Sequence, residues 1–571
     1  MKGFFSPIGS PQRIYVLLGL MVLVTAGCTD TVYKDRPPFN PPPDGEASGF
    51  LGFFTVDTKQ TTCGNCHVGQ QADWIQTGHA QAWDDLQASP DNNSTCEGAK
   101  CHTVNWRGNQ DSANVGYDSV KTAAYYHVQC ESCHGPGFLH VTNPSVKANR
   151  PLASINVTDD PLLTSSSCSG CHRAGAGPDR HQDYLTEWKS SRHGQLRATQ
   201  AAEPDCQPCH EAKGALRAWG VNSVYEESET GTPDMPQNCV VCHDPHGTAK
   251  DPATGLPWPG QLRYSISTSV IPENLCTKCH GRVDRSEANP TNARGPHGAQ
   301  GPVLFGTAGY FPPGTIYDTT EILTSHGSTA NPRMCAGCHV NTLTNKDADG
   351  NKFQFSGHTF HPLPCLASKT ATDTLVDPTY TNACAYDEPS RSWAGCTGGQ
   401  CHGTEAVAVS RLTGIRLERD QAMDVIWVDL DGDRAVDGYP ADTGYLAKIK
   451  ATYPESLLFC NEDPLATSNL CLTADDTANN RRLTSAKGAL FNAQLLGEAL
   501  ASHPDGSHGV HNPFLYRALL ASSIADLELT YGSILPAPPA AVQRRIQAEI
   551  RSGRLRVPAA TERAVMRTSL R

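Results

Sequence analysis

Nine times along 571 residues, a pair of cysteines is closed directly by a histidine. Seven copies have the form C-x-x-C-H: Cys63/Cys66/His67, Cys130/Cys133/His134, Cys168/Cys171/His172, Cys206/Cys209/His210, Cys239/Cys242/His243, Cys276/Cys279/His280 and Cys335/Cys338/His339. Two have a wider gap between the cysteines: Cys96/Cys101/His102 and Cys396/Cys401/His402. The strict spacing suits a single helical turn, because residues three and four apart share a face. Two thiols placed so can hold the vinyl groups of a haem as thioethers, while the adjacent imidazole reaches its iron. One copy is compatible with chance or with half a zinc site. Nine in one exported chain leave little room for either.

The rest of the composition agrees with a core supplied largely by porphyrin rings. Glycine and proline, 50 and 41 residues, make about 16% of the chain against an ordinary ~12%. With 38% hydrophobic residues the chain is nevertheless not a disordered one. The expectation is a mostly α fold with a large irregular loop content, a multihaem cytochrome c architecture organised around stacked haems. The formal charge of −12 disfavours nucleic acid and suits cationic or metal-bearing partners.

The first residues read as an export signal. Lys2 and Arg13 precede the apolar run Ile14–Val24, which is too short to span a bilayer. The run ends in Val24-Thr25-Ala26-Gly27-Cys28, which resembles a bacterial lipobox with Thr25 where leucine is usual. On this reading residues 1–27 are removed and Cys28 carries the lipid, which with two or more acyl chains anchors stably. The alternative is ordinary signal cleavage nearby, with Cys28 discarded. Outside the motifs and Cys28, four cysteines remain: Cys365, Cys384, Cys460 and Cys471. An even remainder in an exported chain suggests two disulfides, with three possible connectivities.

Along the chain, residues 28–57 read as a proline-rich tether. From His67 to His280 the motif histidines follow one another at 35, 32, 38, 38, 33 and 37 residues, then at 59 and 63. The even rhythm marks a tandem arrangement of packed units. It divides the chain into a seven-haem region over 58–300, a two-haem region over 301–405 and a C-terminal region over 406–571. In the last region Asp429, Asp431, Asp433 and Asp437 follow the spacing of a calcium loop. Arg434 stands where glycine makes the sharp turn, and Pro440 where the closing acid belongs, so calcium and a solvated acidic turn both remain readings. A helical pair is expected, one helix over Ala486–Leu500 and one entered through Asn512-Pro513. Residues 541–571 carry eight arginines, a basic tail that either frays, lies on the protein's own acidic surface or docks a partner.

Each haem iron has a second axial position. Thirteen histidines lie outside the motifs: His79, His127, His140, His181, His193, His246, His297, His326, His358, His361, His503, His508 and His511. Only four methionines lie outside the signal, so histidine is the expected sixth ligand, which implies low potentials. Trp74 to His79 and Trp188 to His193 share a W-x-x-x-x-H frame. Together with Cys130-Glu131-Ser132-Cys133-His134-Gly135-Pro136-Gly137 and His140, they resemble the tetrahaem electron carriers of ammonia-oxidising bacteria over about residues 58–200. That resemblance implies His79, His140 and His193 as distal ligands. His246, His297 and His326 are each followed by glycine, a small residue that permits close approach to a porphyrin. His511-Asn512-Pro513 is similar to the C-terminal helix start of outer-membrane multihaem cytochromes of metal-reducing bacteria, where the histidine before Asn-Pro is an iron ligand. The nine expected distal ligands are His79, His127, His140, His193, His246, His297, His326, His358 and His511.

The function expected is electron transfer through nine covalent haems in the cell envelope, as part of respiratory or extracellular electron transport. Its partners would be redox proteins of the envelope and, through the lipid, a membrane in the periplasm, at the outer membrane or on the cell surface. The alternative is an oxidoreductase of the nitrite or hydroxylamine type, whose catalytic iron keeps an open position. A C-x-x-C-K motif, frequent in nitrite reductases of that class, does not occur.

Overall fold

Short helices that close at a cysteine–histidine motif, then long helices that pack on one another, divide the architecture between the two parts of the chain. The computed structural model describes residues 49–90, 92, 101–105, 116–157, 168–173, 184–221, 224–282, 296–323, 325–346, 352–364, 391–398, 401–454, 484–497, 504–559 and 561–562. The signal and lipid expected at Cys28, Cys96 of one motif, and Cys365, Cys384, Cys460 and Cys471 lie outside the described residues. Residues 44–571 cluster as one compact unit. The fold is mostly helical, and the described strands form only two-stranded antiparallel pairs.

Most of the described motif turns are helical for the reason the spacing suggests. Cys130–His134 and Met334–His339 are each a short α-helix that ends on the motif histidine. Gln207–His210, Cys239–Cys242 and Thr277–His280 are single turns of the same kind. Between them the apolar clusters are small. One holds Phe50, Val104 and Tyr125, and another holds Phe53, Trp74 and Ala80. A larger one gathers Ile155, Ala212, Ala215, Leu216, Tyr225, Met235, Val240 and Val241.

Several described motif cysteines lie outside the expected helical turn, among them Cys66, Cys101, Cys168, Cys171 and Cys401. In the first motif the helix is the tighter 3-10 form over Cys63–Asn65, so Cys66 only caps it and its side is exposed to solvent. Its amide donates to the Cys63 carbonyl at 3.1 Å, the shorter loop of a 3-10 turn. Cys171 sits in a hydrogen-bonded turn, with its amide on the Cys168 carbonyl at 3.2 Å and that of His172 on the same oxygen at 2.9 Å. Cys101 lies in a bend, half-buried, and the wide gap to Cys96 is too long for both thiols to share one turn.

The C-terminal part is built differently. Helices α1 (Glu405–Ile426), α2 (Tyr445–Thr452), α3 (Ser485–Leu496), α4 (Pro513–Tyr531) and α5 (Ala540–Arg551) enclose the main apolar core. Side-chain caps start three of them: Thr404 accepts from the Val407 amide, Thr484 from Lys487 and Asn512 from Leu515. Pro513 follows its cap in the first turn, so α4 begins where the sequence pattern places it. Phe491, Leu495, Leu496, Leu515, Leu519 and Leu520 are all buried in this core. Asn492 ties in the preceding region, with Oδ1 accepting from the Tyr310 amide at 2.7 Å and Nδ2 donating to the Tyr310 carbonyl at 2.8 Å. The short strand Ile316–Tyr317 pairs with Leu555–Arg556, so residues near 316 lie against the C-terminal segment.

The described part of the basic tail lies on the protein's own surface. Arg545 donates to Gln421 at 2.8 Å, Arg554 to Glu549 at 2.8 Å, and Arg556 to Glu562 at 3.1 Å. The acidic turn after α1 is tied to its own backbone. Asp429 accepts from the amides of Gly432 and Arg434, and Asp429, Asp431 and Asp433 bring their carboxylates within 4.8 Å of one another. No described helix is long and apolar enough to cross a membrane.

Candidate haem centres

Eight of the motif histidines each face a histidine from elsewhere in the chain at nearly one distance. The ring centroids of His67 and His140 lie 6.4 Å apart, those of His134 and His246 6.1 Å, and those of His172 and His79 6.2 Å. His210 and His297 are 6.2 Å apart, His243 and His358 6.2 Å, and His280 and His193 6.1 Å. His339 faces His511 at 6.1 Å, and His402 of a wide-gap motif faces His326 at 5.9 Å.

This distance has a chemical meaning. Two metal–imidazole bonds of about 2.0 Å each, plus about 1.1 Å from each ring nitrogen to its centroid, give roughly 6.2 Å. Rings in direct contact would lie closer, as Trp83 and Tyr126 do at 4.2 Å. All 17 described cysteines of the motifs lie outside disulfides, so their sulfurs are available for attachment; these include Cys66, Cys101 and Cys171. Cys66 and Cys171 still stand directly before His67 and His172, whose rings face His140 and His79 like those of the helical motifs. The residues therefore fit haem held by two thioethers and two imidazoles.

The pairing crosses the order of the chain. His79 comes before its partner motif and His140 after its own, so a motif does not take its second histidine from its own repeat. Motifs also abut one another. The side chains of Cys63 and Cys130 lie beside one another, as do those of Cys168 and Cys239, Cys209 and Cys279, and Cys276 and Cys335. The Cys338 thiol points at the Gly395 carbonyl beside the last motif, at 3.9 Å.

Several rings are held through Nδ1. His134 donates to the Pro151 carbonyl at 2.9 Å, His243 to Gly260 at 2.6 Å, His339 to Phe360 at 2.9 Å and His326 to Val510 at 2.5 Å. His280 donates to Gln300 Oε1 at 3.2 Å, and His358 is bonded to Ser356 Oγ at 2.9 Å. Such a bond fixes both tautomer and orientation and leaves Nε2 for a metal. His511 differs, because its Nδ1 lies 2.7 Å from the Asp505 carboxylate.

Electrostatics favour neutral rings at most of these positions. Burial, followed by the charge of the facing His172, pushes His79 down to about 4. Burial with His280 nearby does the same for His193, and burial with His511 nearby for His339. At His511 burial also pulls downward, but Asp505 outweighs it and the imidazole is held above its ordinary value.

The remaining histidines, and the glycines that follow two of the paired ones, have contacts of their own. His127 is not set against a motif ring in this way: its Nδ1 accepts from the Trp83 amide at 3.3 Å and its edge meets Phe53 at 6.0 Å. The bridge between Thr103 and Tyr126 does bring the backbone at His102 alongside that at His127. The glycines after His246 and His326 also pack closely against the protein. A Cβ at Gly247, where φ is +73°, would lie 2.7 Å from Thr77 Cγ2, and one at Gly327 would lie 2.4 Å from the Leu304 carbonyl. Of the neighbouring histidines, His361 accepts from the Leu363 amide at 3.0 Å, and His508 Nδ1 lies 3.1 Å from Arg419 Nη1.

Sequence reasoning misses the residues that hold these histidines. The Glu187 carboxylate accepts from the Ser356 amide and hydroxyl at 2.7 Å and from the His358 amide at 2.8 Å, clamping the loop that presents His358. Tyr184 places its ring 4.9 Å from His358 and 5.7 Å from His172, edge-on to both. A glutamate on a short helix carries no local sign of such a role.

Residues 62–135 match the family model for cytochrome c554 and c-prime. The stretch contains the first three motifs, and the match supports a c-type cytochrome that carries electrons on covalent haem c. No curated protein and no solved structure matches the chain.

Proposed function

We propose that the chain is a nine-haem c-type cytochrome that passes electrons between redox proteins of the cell envelope, tethered to a membrane through a lipid on Cys28. The observation that carries this reading is the set of eight histidine pairs at 5.9–6.4 Å, each containing one motif histidine. When bound, haem supplies a one-electron iron couple. The protein's own residues do the rest: eighteen motif cysteines hold the rings, and His67, His102, His134, His172, His210, His243, His280, His339 and His402 serve as proximal ligands. His79, His140, His193, His246, His297, His326, His358 and His511 serve as distal ligands, and His127 is the candidate beside His102.

Two imidazoles on an iron close it to substrates and suit electron transfer rather than chemistry at the metal. The abutting motifs support transfer from centre to centre along the chain. A pyridine haemochrome assay with intact mass should count nine haems. Electron paramagnetic resonance of the oxidised protein should show low-spin, six-coordinate iron. A stoichiometric high-spin signal that shifts with nitrite or hydroxylamine would replace this reading with an oxidoreductase.

A further inference from the structure

The loop between α3 and α4 carries a polar cluster built around a carboxylate that faces His511. The Asp505 side chain has no exposed surface, and its two oxygens have separate partners. Oδ1 faces His511 Nδ1 at 2.7 Å, while Oδ2 accepts from Ser507 Oγ and, at 2.9 Å, from Tyr516 Oη. The loop itself is pinned, since the Asp505 amide donates to the Leu495 carbonyl at 2.8 Å and the His511 amide to Ser507 Oγ at 3.1 Å. Tyr516, only 1% exposed, closes the cluster from the first turns of α4. A buried charge of this kind persists only where it is paired and hydrogen-bonded.

At six other histidines the Nδ1 partner is neutral: carbonyls for His134, His243, His326 and His339, an amide oxygen for His280 and a hydroxyl for His358. A carboxylate that accepts the Nδ1 proton pushes electron density into the ring and makes the opposite nitrogen a stronger donor to iron. A stronger donor stabilises the oxidised metal.

We infer that Asp505 is a positioning residue that turns His511 into an electron-rich ligand and thereby lowers the potential of the His339/His511 centre relative to what a neutral acceptor would give. The inference rests on the proposal that these two histidines share one iron. Tyr516 and Ser507 act against it in degree, because each bond they donate draws charge off the carboxylate. The centre is therefore set by two opposing contacts within one loop and one helix turn.

The test is spectropotentiometry and electron paramagnetic resonance on the full holoprotein. Asp505→Asn, which keeps shape and removes charge, should raise one midpoint by about tenfold in the oxidised-to-reduced ratio, or about 59 mV for a one-electron centre. Tyr516→Phe should move the same midpoint downward, since the carboxylate then keeps more charge for His511. A merely structural role would move both variants the same way and open the iron in both. Unchanged midpoints in Asp505→Asn, or shifts of the same sign in the two variants, would overturn the inference. If Asp505→Asn loses haem, Tyr516→Phe decides alone, and no downward shift there overturns it. His511→Ala separates the two levels of argument. If all irons of that variant stay low-spin and closed to carbon monoxide, the shared-iron reading fails; if one opens while the Asp505 and Tyr516 shifts are absent, only the role of Asp505 fails.

Discussion

His326 donates through Nδ1 to the carbonyl of Val510 at 2.5 Å, one residue before His511. Two histidines facing different motifs, His402 and His339, are thus held by one short stretch of backbone. The hinge of that stretch is Gly509, with φ at +96°, where a Cβ would lie 2.6 Å from Ile415 Cγ1 on α1.

Gly509→Ala should therefore disturb two centres together. The strained φ and the clash should cost about 2 kcal/mol or more. Carbon monoxide binding on reduction should appear at more than one iron while all haems stay attached. Uptake limited to one iron would show that the His326 bond to Val510 does not couple the sites.

His511→Ala should keep every covalent haem and make one iron high-spin and open to carbon monoxide. His508→Ala should not, because His508 faces Arg419 on α1 while His511 faces His339. The reverse result, with uptake only in the His508 variant, would assign the wrong turn of this loop to iron.

The wide-gap motif at the C-terminal end should bind haem. His402 faces His326 at 5.9 Å, within the range of the strict motifs. Replacing Cys396 and Cys401 with serine should lower the intact mass by the two substitutions and one haem, with the visible spectrum falling in proportion. A mass that falls by the substitutions alone would show that this motif carries none.

What can be read from the sequence is what is local and chemical. Motif cysteines and histidines declare themselves by spacing, and Asn512-Pro513 announces a helix because a cap and a preset φ act within four residues. Spacing does not guarantee the turn type, as the 3-10 turn before Cys66 shows. Partner assignment is not local either. His79 and His140 both stand after the first motif, yet His140 turns back to His67 and His79 reaches His172. The long helix α1 escapes periodicity because its buried positions include Arg419 and Ala408 among Leu412, Ile415 and Met423, so no clean apolar stripe marks it. Glu187 and Asp505 are hidden for a simpler reason. A carboxylate acquires its role from what the fold sets against it, and here those partners are loops distant in sequence or a ring it meets only after the turn closes.

Asn492→Ala should weaken the C-terminal core without touching a haem. Its side chain satisfies both backbone groups of Tyr310 and also donates to Ser523 at 2.9 Å, all buried. Orphaning these groups should cost about 2–3 kcal/mol. Thermal unfolding should shift down while haem count, spin state and midpoints remain those of the parent. An equal loss of haem would mean that this core and the haem centres do not separate energetically.

Removal of haem should divide the molecule. In the part before residue 282, clusters such as Phe50/Val104/Tyr125 and Phe53/Trp74/Ala80 bury a few side chains each, and the largest described one, around Leu216 and Tyr225, holds eight residues of which three are alanine or methionine. At about 1.5–3 kcal/mol per large buried apolar side chain, three of them offset the ordering of only a handful of residues at about 1–2 kcal/mol apiece. The C-terminal core is far larger, and Trp427, Tyr516, Leu446, Ile449, Leu495, Leu515, Leu519 and Ile524 within it are almost wholly excluded from water. A full-length chain with all motif cysteines changed to serine should therefore keep helices α1, α3 and α4 and lose the order of residues 49–282. Hydrogen exchange read by mass spectrometry would show protection surviving over 405–426, 485–496 and 513–531, with rapid exchange over the motif turns. Protection that survives equally in both parts would show that the polypeptide alone orders the motif region, and that porphyrin is not a structural part of its core.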